Sequence, residues 1–134
     1  MCDELEKYIK ELTNAFEGIK IIWLFGSRAN NRNKPLSDWD LLVFADIKTY
    51  EDIKIDEYHH RGAVDLLIVI DGNQFIKPWG EEKKGSINSW HWEVVSESEA
   101  EYDHIKFIPD KPGSANGRFE ELRLKAKKIY ERKI

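Results

Sequence analysis

Ile19-Lys20-Ile21-Ile22-Trp23-Leu24-Phe25, then Gly26-Ser27, then after ten further residues Asp38-Trp39-Asp40, carries the strongest structural signal in the chain. The apolar run reads as a strand, and Gly-Ser ends it abruptly. Glycine lets backbone approach a ligand closely, and serine adds a hydroxyl beside the exposed amides of the turn; such a corner suits phosphate oxygens. The next run, Trp39 to Ala45, reads as a second strand. Asp38 and Asp40 at its start stand at i and i+2, so on a strand both leave one face and can share a cation, or a pair of them.

A third carboxylate lies downstream. Asp65 interrupts Ala63-Val64-Asp65-Leu66-Leu67-Ile68-Val69-Ile70, which otherwise has the pattern of a buried strand. A lone ionised carboxylate there would cost roughly several kcal/mol or take up a proton. A cation shared with Asp38 and Asp40 removes that difficulty.

Gly26, Ser27, Asp38, Asp40 and Asp65, in this order and spacing, resemble the signature of the polymerase-β-like nucleotidyltransferases in their minimal, single-domain form. Ser27-Arg28-Ala29 after the glycine and Ser37 before the first aspartate look like the same subgroup, which puts Arg28 and Ser37 beside Gly26 and Ser27 among the nucleotide-binding candidates. The resemblance covers about residues 19–70 and weakens toward the C-terminus. It implies a small α/β fold of α+β type, a mixed sheet flanked by helices, with the three aspartates on adjacent central strands. It also implies a transferase moving a nucleoside monophosphate from a nucleoside triphosphate, ATP first among them, to a hydroxyl on a small molecule, protein or RNA. In that scheme Ser27 and nearby amides take the β- and γ-phosphates, and Asp38 and Asp40 hold two Mg2+ ions, or Mn2+. Asp65 binds the metal nearest the acceptor and helps activate the hydroxyl. Relatives of this kind often sit beside a helical HEPN-type protein as an antitoxin. A partner of that kind or a homodimer is therefore an expectation, although nothing in the residues themselves demonstrates either.

Other readings stand beside this one. Arg28 either reaches a phosphate or pairs with a nearby acid at the surface. Ser37 is read as a turn or capping hydroxyl rather than a nucleophile, since no base is placed to activate it. Asp38 and Asp40 taken alone fit a polar turn; Gly26-Ser27 and Asp65 turn the reading toward a site. The competing function is a non-catalytic relative that holds nucleotide or a partner, such as the antitoxin-like subunit of a HEPN-type pair. Against it, a protein without chemistry gains little by keeping three mutually repelling acids close.

The chain has 134 residues, 41% hydrophobic and 34% charged, as expected for one soluble domain spanning 1–134 with a subgroup-specific part from about 86 onward. No apolar run approaches the roughly 18 residues of a membrane span. The N-terminal MCDELEKYIK carries both charge signs and lacks a signal peptide's apolar centre, and Cys2 is the sole cysteine, so a reducing cytoplasm is expected. A net charge of −4 argues against a broad nucleic-acid surface. The basic run Arg118 to Lys133 is read as a solvated helix face, leaving RNA binding unsupported.

Asp3 to Glu17 carries Leu5, Tyr8, Ile9, Leu12 and Phe16 on one helical stripe. Asn30 to Ser37 reads as a loop, and Thr49 to His60 leaves helix and irregular chain both open. Beyond Gly72 the pattern fades. Ser89 to Val95 reads as a fourth strand, Ser96-Glu97-Ser98-Glu99 as a helix start, Ile108 to Gly117 as a loop, and Phe119 to Tyr130 as a closing helix. His59-His60 reads as a surface pair. Trp90 and Trp92 read as aromatic packing, with base stacking the alternative. The segment Trp90 to Phe107 is expected to close one wall of the cleft.

Overall fold

A computed structural model describes residues 3–133; Met1, Cys2 and Ile134 lie outside the described residues. The chain runs α1 (Asp3–Ala15), β1 (Ile21–Phe25), the short helical turn α2 (Gly26–Ala29), β2 (Trp39–Phe44), α3 (Ile47–Lys54) and β3 (Val64–Val69). It continues through β4 (Gln74–Ile76), β5 (Lys84–Ser86), a 3-10 turn (Ile87–Trp90), β6 (Glu93–Val94), β7 (Glu99–Pro109) and β8 (Gly117–Glu131). No helix is long and apolar enough to cross a membrane among the described residues.

All the strands join one mixed sheet in the order β5-β4-β3-β2-β1-β8-β7-β6, parallel only between β2 and β3. Eight strands laid flat would put the two edges about 34 Å apart. The link from Ser86 to Glu93 joins those edges and could reach only about 24 Å if fully extended, less with a 3-10 turn inside it. The sheet therefore curls. This corrects the expected small, helix-flanked sheet: the fold is mixed α+β, but the sheet is large and helices are few.

Each face has its own apolar layer. On the convex side Ile22, Leu24, Leu41, Val43, Leu66 and Ile68 pack beneath Leu5, Ile9 and Leu12 of α1 and Tyr50 and Ile53 of α3. The stripe read on the first helix is thus its buried face. On the concave side Trp23, Leu42, Leu67, Phe75, Tyr102 and Ala126 pack with Ile87 and with the half-buried Trp90 and Trp92. The central strands are apolar on both faces because both are covered.

The C-terminal expectations fail in an informative way. Phe119 to Tyr130 is part of the 15-residue strand β8, not a helix, so the basic run lies on a strand. Leu122, Leu124 and Ala126 face inward at a period of two. A bulge opposite Ile22 and Trp23 breaks that period, and Ile129 and Tyr130 both become half-buried. The shifted pattern imitates helical spacing. Ser89 to Val95 is likewise not a strand: Ser86 Oγ accepts the Asn88 N–H and starts a 3-10 turn, His91 takes φ 54°, and only Glu93–Val94 pairs. Ser96 does accept the Ser98 and Glu99 amides as a capping serine would, but Val95 and Ser96 N–H both donate to Glu99 O, and the chain turns back into β7.

The histidine pair divides. His59 is 7% exposed, with Nδ1 3.0 Å from Asp56, whereas the exposed His60 stacks on Trp79 at 4.9 Å. Leu42 has no exposed surface and lies at the centre of the concave layer. Leu42→Ala should cost about 2–5 kcal/mol in urea denaturation; a loss below about 1 kcal/mol would contradict a closely packed layer there.

Candidate active site

Two strand registers build the site. The antiparallel pairing of β1 with β2 sets Phe25 opposite Asp40, which delivers the following Gly26-Ser27 turn to that carboxylate. The parallel pairing of β2 with β3 sets Asp40 opposite Asp65. Both aspartates share side-chain parity with Leu42 and Leu67, so both lie on the concave face. Asp38 precedes the strand and is exposed.

Gly26 adopts φ 74°, and a Cβ added there would meet Asp40 Oδ2 at 2.2 Å. Glycine is needed twice over, for the left-handed backbone and for the approach of the carboxylate. Its N–H donates to Tyr102 Oη at 2.8 Å, and burial pushes the Tyr102 phenol upward. The turn is clamped again by Asn30. Its Nδ2 donates to Gly26 O and to Lys125 O, and its Oδ1 accepts the Lys125 N–H. Strand β8 therefore holds the corner from outside the motif.

Gly26, Ser27 and Asp40 border a cleft of about 780 Å3 on the concave side. Phe25, Phe75, Trp90 and Tyr102 give it an aromatic wall, and Arg32, Lys83 and Lys106 bring cationic side chains. Among the described residues these three cations have no acidic partner within 4.0 Å. His91 and the stretch Tyr102 to Lys106 line the same cleft, as expected for the segment from Trp90 to Phe107. Trp92 instead packs edge-on against Trp23, 5.4 Å between centroids. Asp38 and Asp65 open into a separate recess of about 150 Å3, bordered by His60, Arg61, Lys77 and Trp79.

Arg28 and Ser37 border neither the cleft nor the recess. Arg28 Nε donates to Ser37 O at 2.9 Å, and its guanidinium lies 4.1 Å from the Trp39 ring centroid. It braces the loop, neither reaching the cleft nor pairing with an acid. Ser37 Oγ accepts the Lys34 N–H at 2.8 Å and is a turn hydroxyl. The cleft residues that the sequence does not single out are Arg32 and Lys83 and, within the expected wall segment, Tyr102 and Lys106. They come from three separate segments, the loop after α2, the approach to β5 and strand β7, and no local pattern distinguishes them from ordinary surface or core positions.

The Asp40 carboxyl is pushed up to about 6, first by burial and then by the negative charges of Asp65 and Asp38, with Lys83 opposing. Among the described residues no three His, Cys, Asp or Glu side chains stand close enough, as they are, to hold one ion. The donors nevertheless suit a hard divalent cation: they are carboxylates whose charges bear on one another, and such an ion offsets that repulsion.

A family model described as polymerase beta, nucleotidyltransferase, matches residues 7–76, just over half of the chain. No curated protein and no solved structure matches.

Asp40 titrates near 3.8 in ordinary surroundings and near 6 here, so the fold binds its proton more tightly than the unfolded chain does. This contribution stabilises below the unfolded value and is lost as pH rises through 6. In chelator at pH 7, Asp40→Asn should therefore be more stable than the parent by about 1–2 kcal/mol, allowing for solvent screening at a half-buried group. The gap should shrink toward pH 4. Urea denaturation across that range checks it, and a less stable variant at pH 7 would give Asp40 a structural role instead.

Proposed function

Since the chain belongs to the polymerase-β nucleotidyltransferase family, we propose that it is a metal-dependent enzyme transferring a nucleoside monophosphate from a nucleoside triphosphate to a hydroxyl acceptor. The observation that carries this reading is the close approach of the Gly26 corner to Asp40 at the edge of the cleft, with Asp65 opposite Asp40 on the neighbouring strand. In this reading Ser27 and the turn amides receive the terminal phosphates, and the Arg32, Lys83 and Lys106 cations balance their charge. The exposed face of Trp90 offers a surface for the base.

Asp38, Asp40 and Asp65 would hold the divalent ions, which supply charge neutralisation at the phosphate oxygens. The acceptor oxygen forms a bond to the α-phosphorus while the bond to the pyrophosphate oxygen breaks. Asp65 takes the acceptor's proton, and the acceptor arrives from the smaller recess that Asp65 borders. The work of the protein is positioning and electrostatic stabilisation, without a covalent intermediate.

With labelled ATP, Mg2+ and a cell lysate as the acceptor source, the parent chain should transfer label and release pyrophosphate. Asp40→Asn should lower this by about 100-fold or more while its thermal unfolding stays cooperative. Full magnesium-dependent transfer by that variant would refute the mechanism. Nucleotide bound with no pyrophosphate released would favour the binding-only reading.

A further inference from the structure

Asp65 already has a partner. Lys77 Nζ stands 3.4 Å from Asp65 Oδ1, with side chains 30% and 34% exposed. This is a half-sheltered pair, unlike the Lys84–Glu82 pair at 67% and 76%. The root of Lys77 is fixed. Its N–H donates to Lys83 O at 2.8 Å, and the next residues, Pro78 and Trp79, are buried, with Trp79 Nε1 donating to Ile53 O. Four methylenes leave the ammonium free to swing, and the recess bordered by Asp38, His60 and Arg61 gives it room.

We propose that Lys77 is the internal counter-ion of Asp65, which a divalent cation must displace, and that it thereby sets the affinity of the third carboxylate for metal. The inference rests on the reading of Asp65 as a metal ligand. Three acids stand near one another: Asp38 borders the same recess as Asp65, and both of their charges weigh on Asp40. An ammonium on Asp65 relieves part of that crowding in the metal-free protein. The same ammonium would repel an arriving dication at close range, so both cannot keep Asp65 at once. Lys77 follows immediately on the segment that matches the family, so this partner belongs to the part of the chain that the match leaves out.

The test is Mn2+ binding by the intact chain without nucleotide, read by electron paramagnetic resonance of free Mn2+. Lys77→Gln should bind about 5- to 10-fold more tightly than the parent. Lys77→Arg, which keeps the charge, should stay within about twofold. The gain should vanish when Lys77→Gln is made in an Asp65→Asn background, a double-mutant cycle that isolates the pair. Lys84→Gln controls for loss of a distant charge. Unchanged or weaker binding by Lys77→Gln, no binding by either protein, or an equal gain in the Asp65→Asn background or in Lys84→Gln would each overturn the proposal. A chain that binds Mn2+ in the expected pattern but never releases pyrophosphate keeps the counter-ion and loses the transferase reading; the converse result separates them the other way.

Discussion

The register of the three central strands is the constraint from which everything else follows. Phe25 opposite Asp40 and Asp40 opposite Asp65 bring a turn, a strand start and a third strand to one rim. Because side chains alternate, a slip of one residue would send Asp40 or Asp65 to the convex face and an apolar neighbour toward the cleft. Burial on both faces makes such a slip costly. Leu41 and Leu42 point to opposite layers, and both are wholly buried. The packing that stabilises the sheet is also what aims the carboxylates.

That alignment opposes stability at the site. Asp40 is half-buried, faces two other acids, and is held closely by Gly26. A fold optimised only for stability would not assemble these groups, and strain of this kind is characteristic of sites that bind charge. The surroundings offset it in part. Lys83 lowers the cost at Asp40, Lys77 pairs with Asp65, and Tyr102 and Asn30 hold the corner. None of these supports except Asn30 lies within the segment that matches the family.

The second half of the chain therefore does more than close the fold. The link between β5 and β6 joins the two sheet edges and sets Trp90 against Phe75, 4.9 Å between ring centroids, and Phe25, 5.8 Å away. Strands β7 and β8 then form the far wall of the cleft. Curvature brings these distant elements within reach of a corner made by residues 25–27. A flat sheet with the same pairings would leave the aromatic wall facing solvent.

How much of this was legible depends on how local the signal is. The first helix, the three central strands and the Gly-Ser corner with its aspartates all read directly from residues 3–70, because apolar periodicity and turn chemistry act over a few residues. Arg28 and Ser37 stand among the candidates for the same local reason, their nearness in sequence to the corner, and the loop's own hydrogen bonds assign both to bracing it, as the turn reading of Ser37 expects. Beyond residue 72 a bulge masked the period of β8, and a capping serine preceded a strand rather than a helix. Residue order alone was enough for the three central strands, the charge placed on them and the glycine at the corner. Which distant side chains meet that charge was settled by long-range contacts, since the partners Lys77, Lys83 and Tyr102 are brought there by strand pairing and sheet curvature, which act across the chain and leave no mark on a short stretch of it.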